Sequence, residues 1–168
     1  MMDRLWSPWR LPYVTGAHPV DGCILCRAAA PARDPAENAL VLIRGRVSYV
    51  ILNLYPYTNG HLMVVPNRHV ASLSGLDEGE LQELMQFTRD GEVALAEVYQ
   101  AQGINVGINL GRAAGAGVLD HVHIHLVPRW VGDTNFMSVV GDTRVLPEDL
   151  GATAERLRPA FERLRDDR

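Results

Sequence analysis

Lysine is absent from this 168-residue chain; all sixteen basic residues are arginine. Catalysis through a lysyl-adenylate or a Schiff base is therefore excluded, since both need a lysine amine. Cysteine is nearly as scarce, with only Cys23 and Cys26. No apolar stretch approaches the roughly 20 residues that cross a bilayer, so no membrane span is expected. No apolar run follows a basic segment near the N-terminus, so no secretory signal is expected either. The expected setting is cytoplasmic, where the two thiols are reduced or metal-bound rather than joined. Excess positive charge is missing as well. The formal net charge of −4 argues against a sequence-independent grip on polymeric nucleic acid, yet it leaves room for a local small-nucleotide site.

What is present suits a globular fold: 47% hydrophobic and 21% charged residues are ordinary for one. The length serves one domain with a sizeable core and is short for two. Residues 1–22 carry two of the three tryptophans, in Arg4-Leu5-Trp6-Ser7-Pro8-Trp9-Arg10. Such an arm is expected to pack on the body or on a second subunit, because disordered tails are poor in aromatics. Apolar runs at 39–44 and 47–53, separated by Gly45-Arg46, read as a β-hairpin. A turn through Asn59-Gly60 leads to a third strand at 61–65, stopped by Pro66. Asp77 and Glu80 form a capping-box pattern ahead of a long amphipathic helix over 78–100, with Leu81, Leu84, Met85, Thr88, Leu95, Val98 and Tyr99 as its apolar stripe. A fourth strand is expected at 104–110, a glycine-rich loop at 111–117, an irregular stretch at 129–141 in which 136–140 could form a short edge strand, and a C-terminal helix over 147–165. This order predicts an α+β fold with a mostly antiparallel five-stranded sheet. Residues 1–38 would form an arm and a Cys-x-x-Cys knuckle, 39–141 the catalytic core, and 142–168 the C-terminal helix.

The stretch at 120–129 organises the rest. In His121-Val122-His123-Ile124-His125-Leu126, three imidazoles alternate with three apolar residues. On a strand this places the histidines on one face, about 6.6 Å apart, and the apolar residues on the other. Such a row can follow the successive phosphates of a nucleotide. Imidazole is neutral near pH 7 and forms an activated bond to phosphorus that water or phosphate can displace. The middle ring, His123, is the natural nucleophile, with His125 placed to donate to the phosphate or the leaving group. His121 has two assignments open: a hydrogen bond within the row, or a metal ligand. The spacing of Cys23 and Cys26 suits two thiolates on one tetrahedral zinc. His69 and His121 are then the candidates to complete the set, with His18 as a substitute. The alternative is a pair of reduced thiols, with His69 a plain loop residue. Gly111, Gly115 and Gly117 would either leave backbone N–H groups able to approach phosphate closely or form a mobile surface loop.

His121-Val122-His123-Ile124-His125-Leu126-Val127 resembles the histidine-triad motif of the HIT superfamily of nucleotide hydrolases and transferases. In short segments (Arg4 to Arg10, Asn53-Leu54-Tyr55-Pro56-Tyr57 and Val127-Pro128-Arg129-Trp130) the chain is most similar to the bacterial diadenosine tetraphosphate phosphorylase group. The resemblance implies nucleotidylation of His123 and cleavage of a dinucleoside polyphosphate at the α-phosphate. It implies a structural zinc on Cys23, Cys26, His69 and His121, no organic cofactor, and a homodimer. It also implies that Asn53 binds the ribose hydroxyls, that Asn109 contacts the phosphate or bridging oxygen, and that His61 is a buried supporter. Trp130, just past the motif, either covers the site, stacks on a base or packs in the core. One departure stands out. Many members carry Ser, Thr or Gln where this chain has Gly117, which puts catalytic efficiency rather than reaction class in question. Adenosine phosphoramidase activity and non-catalytic nucleotide binding remain open beside the polyphosphate reading.

Overall fold

The computed structural model describes residues 22–31, 38–133 and 148–167. The tryptophan-rich arm with His18, the expected strand at 136–140 and the start of the last helix at Pro147 lie outside these residues. A short helix α1 (Ile24–Ala29) precedes strands β1 (Val41–Arg44), β2 (Ser48–Leu52) and β3 (Leu62–Pro66). The long helix α2 (Glu78–Tyr99) follows, then β4 (Gly103–Ile108), β5 (Ile124–Arg129) and α3 (Leu150–Asp166). The five strands form one sheet in the order β1-β2-β3-β5-β4, and every neighbouring pair is antiparallel.

Strand alternation sends the two sets of side chains to different partners. Val50 and Leu52 of β2, Leu62 and Val64 of β3, and Ile124 and Leu126 of β5 join a core with α2 and α3. Tyr49, Val65 and the partly buried Ile51 and Met63 pack instead with Leu25 of α1. His125 lies on this second face, opposite Met63 in the β3–β5 register.

Helix α2 begins where its capping box requires. Asp77 Oδ1 accepts from the Glu80 amide at 2.8 Å, and Glu80 Oε2 accepts from the Asp77 amide at 2.9 Å. It ends at Gln100, whose φ of 51° is left-handed. Its buried face runs through Leu84, Phe87, Thr88, Gly91, Ala94 and Leu95, whereas Leu81 and Met85 are exposed. The stripe expected from sequence is thus rotated by part of a turn, because a glycine and an alanine mark the line of closest approach. A Cβ on Gly91 would stand 2.8 Å from Leu126 Cδ2. Only a residue without a side chain lets α2 lie this close to the sheet.

Glu83 of α2 fastens the β1–β2 turn. Its carboxylate accepts from the amides of Arg46, Val47 and Ser48 and from the Ser48 hydroxyl, at 2.7–3.1 Å. Burial pushes its carboxyl up, but these hydrogen bonds together outweigh burial and hold it below its ordinary value. Gly45 lies under the same carboxylate, where a Cβ would come within 2.4 Å of Glu83 Oε1.

Candidate active site

Strand pairing in the triad segment starts only at Ile124, so of the three histidines His125 alone lies in a strand. The alternation nevertheless persists. Val122, Ile124 and Leu126 belong to the helix-side core, while His123 and His125 line a cavity on the other face. Their ring centroids are 4.7 Å apart, closer than strand rise alone predicts. His123 tilts because its Nδ1–H donates to the His121 carbonyl at 2.9 Å. A carbonyl can only accept, so the proton sits on Nδ1 and Nε2 keeps its lone pair. Burial holds His123 below its ordinary pKa, against the opposing effect of that hydrogen bond, and the ring is a neutral base at pH 7.

The tautomer of His125 follows from its neighbour. His61 is fully buried, and its Nδ1 faces two donors, the Tyr57 amide at 3.1 Å and Asn53 Nδ2 at 3.4 Å. Nδ1 must accept, so Nε2 carries the hydrogen and donates to His125 Nδ1 at 3.0 Å. His125 therefore presents Nε2–H as a donor. Burial, reinforced by the adjacent His125 and His123, pushes His61 down to about 3. It stays neutral and keeps this orientation across the physiological range.

The cavity, about 720 Å³ in volume, is lined by Asn53, Asn109, Gly115, Gly117, His123 and His125, with Ile24, Leu25, Arg27 and Ala28 forming one wall. That is within the usual size for a small-molecule site. No carboxylate appears among its described lining residues. Asn109 sits just past the end of β4. Asn53 Oδ1 accepts from the Tyr55 amide at 3.0 Å, a turn that fixes the side chain at the cavity edge. Gly115 also lines the cavity. Its φ is +82°, and its N–H donates to the Arg112 carbonyl at 3.0 Å. That amide is engaged within its own turn, so Gly115 offers a bare surface rather than a phosphate donor. Trp130 is not among the lining residues of this chain. Its indole Nε1–H donates to the Tyr99 carbonyl at 3.2 Å, which ties β5 to the end of α2.

His121 leaves the row altogether. Its ring is completely buried and donates Nε2–H to the Pro66 carbonyl at 2.8 Å. Its Nδ1 lone pair then faces both thiols, 3.4 Å from Cys23 Sγ and from Cys26 Sγ. His69 Nδ1 lies 3.2 Å from Cys26 Sγ, and all four donor atoms fall within 4.8 Å of one another. Sulfur and nitrogen ligands on a tetrahedral zinc stand roughly 3.5 Å apart, so the donor set fits such an ion in kind and spacing. Burial and then the neighbouring Cys23 push the Cys26 thiol up, an unfavourable pairing of two thiolates that a shared cation reverses. The loop bearing His69 is braced by Arg68, whose guanidinium grips Glu80 through two hydrogen bonds of 3.0 and 2.6 Å.

The sequence did not signal the α1 wall of the cavity. Ile24, Leu25, Arg27 and Ala28 sit between and beyond the cysteines, and only the folded chain turns them toward the histidines.

A family model described as the HIT domain matches residues 35–131. The chain is 42% identical over 162 residues to an AP-4-A phosphorylase from Mycobacterium tuberculosis, covering 93% of this chain and 83% of that protein. It is 37% identical over 93 residues to an asymmetrical bis(5'-nucleosyl)-tetraphosphatase from Schizosaccharomyces pombe, covering 55% of this chain and 50% of that one. Among solved structures, a Zn-bound histidine triad family protein from Mycobacterium smegmatis superposes with a TM-score of 0.68 at 25% identity, covering 88% of this chain and 98% of its own. With the family model matching residues 35–131 and a relative similar along most of its length, the chain belongs to the HIT, or histidine triad, family.

Proposed function

We propose that this protein cleaves dinucleoside polyphosphates, such as diadenosine tetraphosphate, at an α-phosphate through a nucleotidyl-His123 intermediate. The observation that carries the proposal is the fixed state of His123: Nδ1–H is held by the His121 carbonyl, which leaves Nε2 unprotonated in a cavity without described carboxylates. His123 Nε2 attacks the α-phosphorus, forming the N–P bond as the P–O bond to the polyphosphate leaving group breaks. The leaving group departs as a stable anion, so it needs a hydrogen bond rather than a full proton. His125 Nε2–H supplies that bond, held in place by His61. The phosphorylated ring is cationic, and the His121 carbonyl stabilises it at Nδ1. Phosphate or water then attacks phosphorus, and the N–P electron pair returns to Nε2. Asn53 orients the ribose, Asn109 and the Gly117 backbone lie against the phosphates, and the 42% identity to a protein named a phosphorylase favours phosphate as acceptor.

Cys23, Cys26, His69 and His121 would hold zinc, whose contribution is structural: four filled positions leave none for substrate. The cytoplasm is the proposed setting; no helix among the described residues is long and apolar enough to cross a membrane. The protein would act as a homodimer joined along β4, which among the described strands pairs with β5 alone and exposes Val106 by 53%, since an open strand edge invites pairing.

Brief mixing with diadenosine tetraphosphate followed by intact mass measurement tests the mechanism. A nucleotidyl adduct is expected on the wild type and none on His123→Ala. Full turnover by His123→Ala would refute it.

A further inference from the structure

Helix α1 has six residues, far fewer than the ~12–15 an isolated helix needs to persist in water. It is held from outside at three points. Cys23 and Cys26 join its first turn to His69 and His121, the four donors that would share a metal. Tyr49, itself buried, donates its hydroxyl to the Leu25 carbonyl at 2.7 Å. At the far end Arg44 spans three carbonyls, Ala29 at 2.8 Å, Ala28 at 2.6 Å and Ala30 at 3.3 Å. These are the orphan acceptors at the end of the helix, and a guanidinium suits them in both geometry and charge. Ile24, Leu25, Arg27 and Ala28 of this anchored helix line the cavity that contains His123 and His125. There Ile24 remains 41% exposed, an apolar surface that a bound nucleoside would cover.

From this we propose that α1 is a substrate-binding wall positioned jointly by the metal and by Arg44, so that metal and nucleotide bind cooperatively. The proposal rests on the reading of the site as a zinc-bearing nucleotide enzyme. Loss of the metal frees the first turn of α1, and a nucleotide entering the cavity must then order that wall as it binds. Filling the cavity, in turn, holds Cys23 and Cys26 in their liganding positions. Linkage makes the two effects equal in size. Arg44 is neither one of the four metal-donor residues nor a lining residue of the cavity, so it acts as a positioning residue through the α1 backbone it holds.

The full-length zinc-loaded protein tests this. Zinc release to an excess of chromogenic chelator is followed with and without saturating AMP, and AMP affinity is measured on loaded and metal-free protein. AMP is expected to weaken zinc transfer, and zinc removal to weaken AMP binding by the same equilibrium factor, on the order of 5- to 150-fold for coupled sites. Equal AMP affinity in both states, with zinc release unaffected by AMP, would overturn the coupling while leaving the enzymatic reading intact. Absence of any AMP binding to the loaded protein would overturn both. Arg44→Ala is expected to retain one zinc per chain and to raise KM more than it lowers kcat, with Arg44→Lys restoring part of the loss. A fall in kcat at constant KM in Arg44→Ala would contradict the positioning role.

Discussion

His61 Nε2 stands 3.0 Å from His125 Nδ1, and the direction of that hydrogen bond fixes which nitrogen of His125 faces the cavity with a proton. Because the Tyr57 amide occupies His61 Nδ1, the arrangement admits no other tautomer while His61 is neutral. His61→Phe should therefore lower kcat by about 10- to 100-fold, the range for residues that orient a functional histidine, with a smaller change in KM. Steady-state kinetics on diadenosine tetraphosphate measure the split. An unchanged kcat would show that His125 keeps its tautomer unaided.

The same residue predicts acid sensitivity. Folded His61 has its pKa depressed to about 3, whereas the unfolded chain titrates near its ordinary value of about 6.5. Between these values the unfolded state binds more protons, so stability present above pH 6.5 is lost as pH falls toward 3. The contribution from one such group is at most about 1.4 kcal/mol per pH unit. Urea melts at a series of pH values should show this slope. It should flatten in His61→Phe if that variant is compared at matched ionic strength.

Glu83 and Gly45 form a single device at the β1–β2 turn. Glu83→Gln replaces an acceptor of four hydrogen bonds by an amide that must aim a donor at some of the same N–H groups. The expected loss is about 1–3 kcal/mol, the range for a half-buried network left with unmet partners. Gly45→Ala forces a Cβ against the same carboxylate and against Phe87, with a similar loss from overpacking. Denaturant midpoints should fall for both, with AMP affinity unchanged, since neither residue lines the cavity.

Gly91→Ala tests the close approach of α2 to the sheet. On an exposed helix this change stabilises by roughly 1 kcal/mol. Here the new methyl would meet Leu126 at 2.8 Å and Leu62 at 3.4 Å, so a net destabilisation of about 1–3 kcal/mol is expected. Leu126 flanks His125, so strain at this point should also lower kcat. A thermally stabilised, fully active variant would argue that α2 shifts outward freely.

Removal of a bound zinc should reach His123 through His121 as well as through α1. His121 gives its ring to the Cys–His donor cluster and its carbonyl to His123 Nδ1. Cys26→Ser, or chelation, is expected to lower the melting temperature and to reduce the yield of nucleotidyl-protein measured by mass. Full adduct formation in metal-free protein would separate the two roles of His121.

Much of this was readable in the linear order of residues. Alternation in the triad segment divided Val122, Ile124 and Leu126 from the histidines because a pleated chain has a period of two. The capping box at Asp77 and Glu80 fixed the start of α2 because both of its hydrogen bonds are local. Cys23 and Cys26 pointed to a shared Cys–His donor cluster because their spacing suits two ligands on one ion. Chemistry of these kinds depends on neighbours in sequence or on the identity of the side chain.

Tertiary structure decided the rest, for reasons that no local pattern carries. The face of α2 that turned inward was set by how near it could approach Leu126, not by its most apolar stripe, so Leu81 and Met85 came out exposed. The tautomers of His61, His123 and His125 depend on carbonyls and amides brought from separate segments, so the direction of donation exists only in the folded chain. His121 was drawn out of its row by a carbonyl at Pro66 and two thiols near the N-terminus, and the same convergence set α1 against His123 and His125.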